Sequence, residues 1–87
     1  MMSTKQNFND MVEKLREQRD DINVKIHLAN MEVRDEWQEL EQKWGQLVDK
    51  TKHFNKEVEP TVEGVHAAIS LLGEEIKEGY RKVKRAL

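Results

Sequence analysis

Cysteine is absent from the 87 residues. No disulfide can staple the fold, and no thiol can serve as nucleophile or metal ligand. An excess of positive charge is missing too: 15 Lys and Arg stand against 17 Asp and Glu, for a formal net charge of −2. A dedicated nucleic-acid binder presents a net basic surface, so that class is disfavoured. No run approaches the ~20 consecutive apolar residues of a membrane span. The first twenty residues are polar and charged, without an apolar core of signal-peptide length. These absences point to a cytoplasmic protein. One proline and four glycines leave few places to turn, which favours a small number of long helices. A chain this short makes one domain at most.

What is present is charge of both signs, 37% of the residues, threaded by a regular apolar seam. Trp37, Leu40, Trp44, Leu47, Phe54 and Val58 follow one another in steps of three and four, with Thr51 filling the seventh slot. That spacing is the a/d seam of a helix packing in coiled-coil fashion. Upstream the seam continues through Phe8, Val12, Leu15, Ile22, Ile26, Ala29 and Val33. Arg19 occupies the slot between Leu15 and Ile22. Its aliphatic stem can lie along the seam with the head in water, which is the favoured reading, or its charge can set register. Steps of four and four across Ala29, Val33 and Trp37 form a stutter, which locally relaxes a left-handed supercoil. Ser3 and Gln6 read as a capping box, and no strong breaker follows before Asn55. The sequence therefore predicts one helix over about residues 4–55, roughly 78 Å long at ~1.5 Å per residue. Gly45, which costs ~1 kcal/mol relative to alanine in a helix, would make room for an indole from a neighbouring helix.

Pro60 cannot continue a hydrogen-bonded helix without a kink but suits the first turn of a new one. A turn is expected at about 56–60 and a second helix at about 61–86, the alternative being one helix kinked at Pro60. The second helix carries Val62, Val65, Ile69, Leu72, Ile76, Tyr80, Val83 and Leu87. Folding back at residue 59 pairs positions whose numbers add to about 118. The acidic residues of 32–41 then face the basic residues of 77–86, Glu74 and Glu75 fall near Lys43, and Trp37 falls near Tyr80 and Gly79. The expected hairpin core is Trp37, Leu40, Trp44, Leu47 and Phe54 against Val65, Ile69, Leu72, Ile76, Tyr80 and Val83. A second helix of this length covers only the C-terminal half of the first. Phe8, Val12, Leu15, Ile22, Ile26, Ala29 and Val33 are left without an intrachain partner, and a monomer rarely exposes that much apolar surface. The fold class expected is all-α: an antiparallel coiled-coil hairpin that dimerises into a helical bundle. The favoured partner is a second copy running antiparallel, with another helical protein as the alternative.

Chemistry is sparse. Glu63 and His66 form a Glu-x-x-His step of the kind used in di-iron bundles, but both flank the seam, and a solvated pair is the simpler reading. His27 and His53 sit on helix flanks. Ser70 has no histidine one turn away, and the abundant carboxylates lie on exposed faces with no cleft implied. No catalytic residue, cofactor site or metal site is assigned. The end of the second helix, with Ile76, Tyr80, Val83 and Leu87 on one face and Lys and Arg around it, resembles helices that lie on anionic lipid. The favoured reading makes that face hairpin core.

In layout, the Trp-x-x-Leu spacing at Trp37 and Leu40 and the run Glu-Glu-Ile-Lys-Glu-Gly-Tyr-Arg-Lys-Val at 74–83 resemble small, uncharacterised bacterial coiled-coil proteins, some loosely associated with stress responses. Helical layers with tryptophans on the seam also resemble a spectrin repeat, which two helices would complete only with a partner. The resemblance implies no catalytic residues. The sequence thus predicts a non-enzymatic, self-associating structural or interaction protein. A peripheral membrane or stress-linked amphipathic protein is the alternative, and a carboxylate–histidine di-metal bundle the third reading.

Overall fold

The structure, a computed structural model, describes residues 4–56 and 63–87. It is all helical: α1 spans Thr4–Lys25, a short 3-10 turn spans Ile26–Leu28, α2 spans Met31–Lys56 and α3 spans Glu63–Ala86. The turn expected at about 56–60, with Val58 and Pro60, lies outside the described residues except for Lys56.

The single helix expected over residues 4–55 is broken. Ala29 takes an extended backbone (φ −80°, ψ 158°), and its N–H closes the 3-10 turn on the Ile26 carbonyl at 3.0 Å. Asn30 then starts α2: its side-chain Oδ1 accepts the Val33 N–H at 3.0 Å, and its carbonyl accepts the Arg34 N–H at 3.0 Å. This is an N-cap, worth about 1 kcal/mol, with Glu32 in the first turn where the helix dipole favours an acid. The break sits at the stutter, where the seam changes phase. Neither glycine nor proline forces it; the reason is tertiary. Folding α1 back buries Phe8, Val12, Leu15 and Ile22, each to 7% exposure or less. At about 1.5–3 kcal/mol per side chain, that burial outweighs the few helical hydrogen bonds surrendered at the turn.

The contacts fix the directions of the helices. From α1 to α2, Phe8 meets Phe54 with ring centroids 5.2 Å apart, Asn55 Nδ2 donates to Asn9 Oδ1 at 2.8 Å, and Arg19 meets Glu41. From α2 to α3, Trp37 stacks obliquely on Tyr80 at 5.4 Å and Lys43 pairs with Glu75 at 3.3 Å. Numbers rise along one helix as they fall along the other in both cases. From α1 to α3, Phe8 meets His66, and Met11 lies against Gly73. The helices therefore run up, down and up, in a rod 44 Å long and about 22 by 17 Å across. Lys43–Glu75 and Trp37–Tyr80 fall where the charge register put them. The wider match of acidic to basic block does not appear: among the described residues, Lys43–Glu75 is the ion pair joining α2 and α3, while Glu41 pairs with α1.

One core runs the length of the bundle. It holds Phe8, Val12, Leu15 and Ile22 from α1, Trp37, Leu40, Trp44, Leu47 and Phe54 from α2, and Ile69, Ile76, Tyr80 and Val83 from α3. Met11, Ile26, Val33, Val48 and Leu72 pack against it from partly buried positions. The interface expected between chains is thus part of the chain's own core. Gly45 has nothing within 4 Å of where its Cβ would lie, so within the chain it makes room for no indole, contrary to expectation. Met11 of α1 lies against Gly73, and Leu40 lies against Gly79.

Candidate functional site

Three places on the bundle present side chains that the hydrophobic core alone does not account for. The first is the middle, where Arg19 stands on the α1 seam. Its Nε and Nη2 donate to the two carboxylate oxygens of Glu41 at 2.8 and 2.7 Å, a two-pronged pair about two-thirds buried. The guanidinium also lies 5.9 Å from the Trp44 ring centre, within cation–π range. The head of Arg19 is therefore paired with Glu41 and not, as the favoured reading has it, free in water. The hydrogen bonds to Glu41 raise its pKa, against some opposition from burial. Tyr80 lies nearby, fully buried; burial is the main cause pushing its phenol up, helped by the Glu41 charge and opposed by Arg19. Its hydroxyl, like that of Thr51, has no hydrogen-bond partner among the described residues. The Arg19–Glu41 pair ties α1 to α2 and so can hold helix register.

The histidines do not converge. The His66 ring packs 5.0 Å from the Phe8 ring, His53 Nδ1 lies 2.9 Å from the Asp49 carbonyl, and the exposed His27 lends its carbonyl to Arg34. The Glu63 side chain lies outside the described ones. Among the described residues no group of three or more His, Cys, Asp or Glu is placed to hold a metal ion. The groove between α2 and α3 is lined by Glu36, Glu39, Glu74, Glu75 and Glu78 against Lys43 and Lys82, a solvated charge pattern.

The third place was not singled out from the sequence. Val24, Leu28 and Met31 are 71%, 76% and 78% exposed, the most exposed large apolar side chains described. All three lie within eight positions, across the turn that joins α1 to α2. The signal for them was present: each is apolar yet out of phase with the seam through Ile22, Ile26, Ala29 and Val33. Read as a helix, that phase puts them opposite the core.

The other expected positions sort cleanly. Phe8, Val12, Leu15 and Ile22 are buried, Ile26, Ala29 and Val33 partly so. Of the expected hairpin core, Trp37, Leu40, Trp44, Leu47, Phe54, Ile69, Ile76, Tyr80 and Val83 are buried, Leu72 is partly buried and Val65 is 37% exposed. Of the amphipathic face Ile76, Tyr80, Val83 and Leu87, the first three are fully buried in the bundle, while Leu87 is 43% exposed. No described helix is long and apolar enough to cross a membrane. Comparison with known proteins finds no match to this chain among family models, curated sequences or solved structures.

Proposed function

We propose that this chain is a non-enzymatic interaction protein that works through its outer surface. The observation that carries the reading is a contrast. The seam residues are consumed by the chain's own core, while Val24, Leu28 and Met31 remain in water together at one end. Scattered single apolar residues on a surface are ordinary, but a group of large ones at one place marks a contact site. A photo-activatable crosslinking residue at position 28 tests this in the native host. Position 42, where Gln42 is exposed on α2, is the control. The expected result is adducts at 28 and few at 42; equal, background-level yields at both positions would remove the reading.

A second reading, self-association as an antiparallel dimer, is supported by the hinge. Ile26–Asn30 contains neither glycine nor proline. Straightening it fuses α1 and α2 into one long coiled-coil helix. Each α1 would then seat on the partner's α2 and α3 through contacts the single chain already uses. Such exchange is a low-cost route to dimers. A light-scattering mass of two chains at micromolar concentration supports it, and a one-chain mass throughout that range rejects it.

A further inference from the structure

We infer that the end of the bundle bearing Val24, Leu28 and Met31 docks on an anionic lipid surface. The inference rests on the surface-acting reading above and names its partner.

The first argument is placement. Arg19 of α1, Trp37 and Glu41 of α2 and Tyr80 of α3 lie at one level of the rod, by the Arg19–Glu41 and Trp37–Tyr80 contacts. Going six residues beyond that level, about 9 Å along each axis, reaches Lys25, Met31 and Ala86. The last turn of α3 therefore ends beside the α1–α2 turn.

The second argument is charge. Within one turn of that end stand the side chains of Lys25, Arg34, Lys84 and Arg85 against one side-chain carboxylate, that of Glu32, in a chain whose net charge is −2. One turn further from the end Asp20, Asp21, Asp35 and Glu36 stand with Arg81 and Lys82, and Asp21 lies 3.6 Å from Lys25. The excess of positive charge is therefore confined to the tip, which is the part of the rod that attracts an anionic surface.

The third argument is what the two features do together. Cations around a small group of Val, Leu and Met match the headgroup layer of a bilayer, where acyl boundary and phosphate lie within a few ångströms of each other. A second copy of the same tip fits worse, because it would bring two basic ends together.

The test uses the full chain centrifuged with vesicles of phosphatidylcholine alone, or of equal parts phosphatidylcholine and phosphatidylglycerol. The expected result is pelleting with the mixed vesicles only, weakening as salt is added. Leu28→Asp combined with Met31→Asp lowers the affinity about tenfold or more, and so does Lys84→Glu combined with Arg85→Glu. Far-ultraviolet circular dichroism stays unchanged, because all four side chains are exposed. Leu28→Trp gives a second readout: its emission shifts to shorter wavelength on mixed vesicles and not on neutral ones, against the constant background of buried Trp37 and Trp44. The inference is overturned by no pelleting, by equal pelleting with neutral vesicles, or by Leu28→Asp/Met31→Asp binding like the wild type. Protein adducts at position 28 without vesicle binding would reject the lipid and keep the surface-acting reading. Absence of any adduct would remove that reading itself.

Discussion

Ile22 and Val24 are two β-branched aliphatics two positions apart on α1, and they meet opposite fates: one is fully buried, the other 71% exposed. Hydrophobicity does not separate them. Phase does, because two steps on a helix turn the side chain by about 200°. The difference teaches where this protein spends its apolar surface. Residues in phase with the seam make the core; those out of phase are free to meet something else.

Ile22→Ala should cost about 2–4 kcal/mol, the usual range for emptying a packed aliphatic site. Val24→Ala should stay within about 0.5 kcal/mol, as exposed substitutions do. Urea denaturation followed by circular dichroism measures both, and equal losses would mean that α1 is not docked as described.

Gly79 and Gly45 differ in the same way at the backbone. A Cβ at Gly79 would sit 2.3 Å from Leu40 Cδ2, so Gly79→Ala should destabilise by about 1–3 kcal/mol through overpacking. Gly45 has open space around it, so Gly45→Ala should stabilise by about 0.5–1 kcal/mol through helix propensity. Melting temperatures moving in opposite directions would establish that α3 presses on α2 at Gly79 and that the Gly45 face is free.

The smallest effect belongs to Tyr80. Its hydroxyl is buried without a hydrogen bond among the described residues, so Tyr80→Phe should change stability at neutral pH by no more than about 0.5 kcal/mol, in either direction. The pH dependence is more telling. Burial raises the folded phenol's pKa above its ordinary value of 10.0. The unfolded chain therefore ionises first, and stability that is full below about pH 10 falls as pH rises toward the folded value. Denaturation midpoints between neutral pH and pH 11 should fall less in Tyr80→Phe than in wild type.

The helical class, the seam and the Lys43–Glu75 and Trp37–Tyr80 contacts were legible because each rests on local spacing or on charge. The break before Asn30 was not. Ala29 and Asn30 are tolerable in a helix interior, and only the burial of Phe8 through Ile22 elsewhere in the fold tips the balance toward a turn. The stutter at Ala29, Val33 and Trp37 marked the place without saying whether the helix bends or stops. Arg19 failed for a similar reason: its partner, Glu41, is twenty-two positions away and becomes a neighbour only after the turn forms. The exposed tip is not legible from the seam, because Val24, Leu28 and Met31 are out of phase with it and an apolar residue out of phase carries no periodic signal.

The short link between α1 and α2 also sets a clock. Closing a loop of about ten residues takes tens of nanoseconds, so α1 finds α2 in its own chain far faster than it meets another molecule at micromolar concentration. Bundles with such local contacts fold in microseconds to milliseconds. The proposed exchanged dimer, by contrast, would be reached only by pulling α1 out of a finished core, at a rate governed by unfolding and as slow as hours or days in stable domains. If it forms, the molecular mass of a sample would record how it was prepared: protein refolded from dilute denaturant would be single-chain at first, and protein concentrated while partly unfolded would keep its exchanged helices long after dilution.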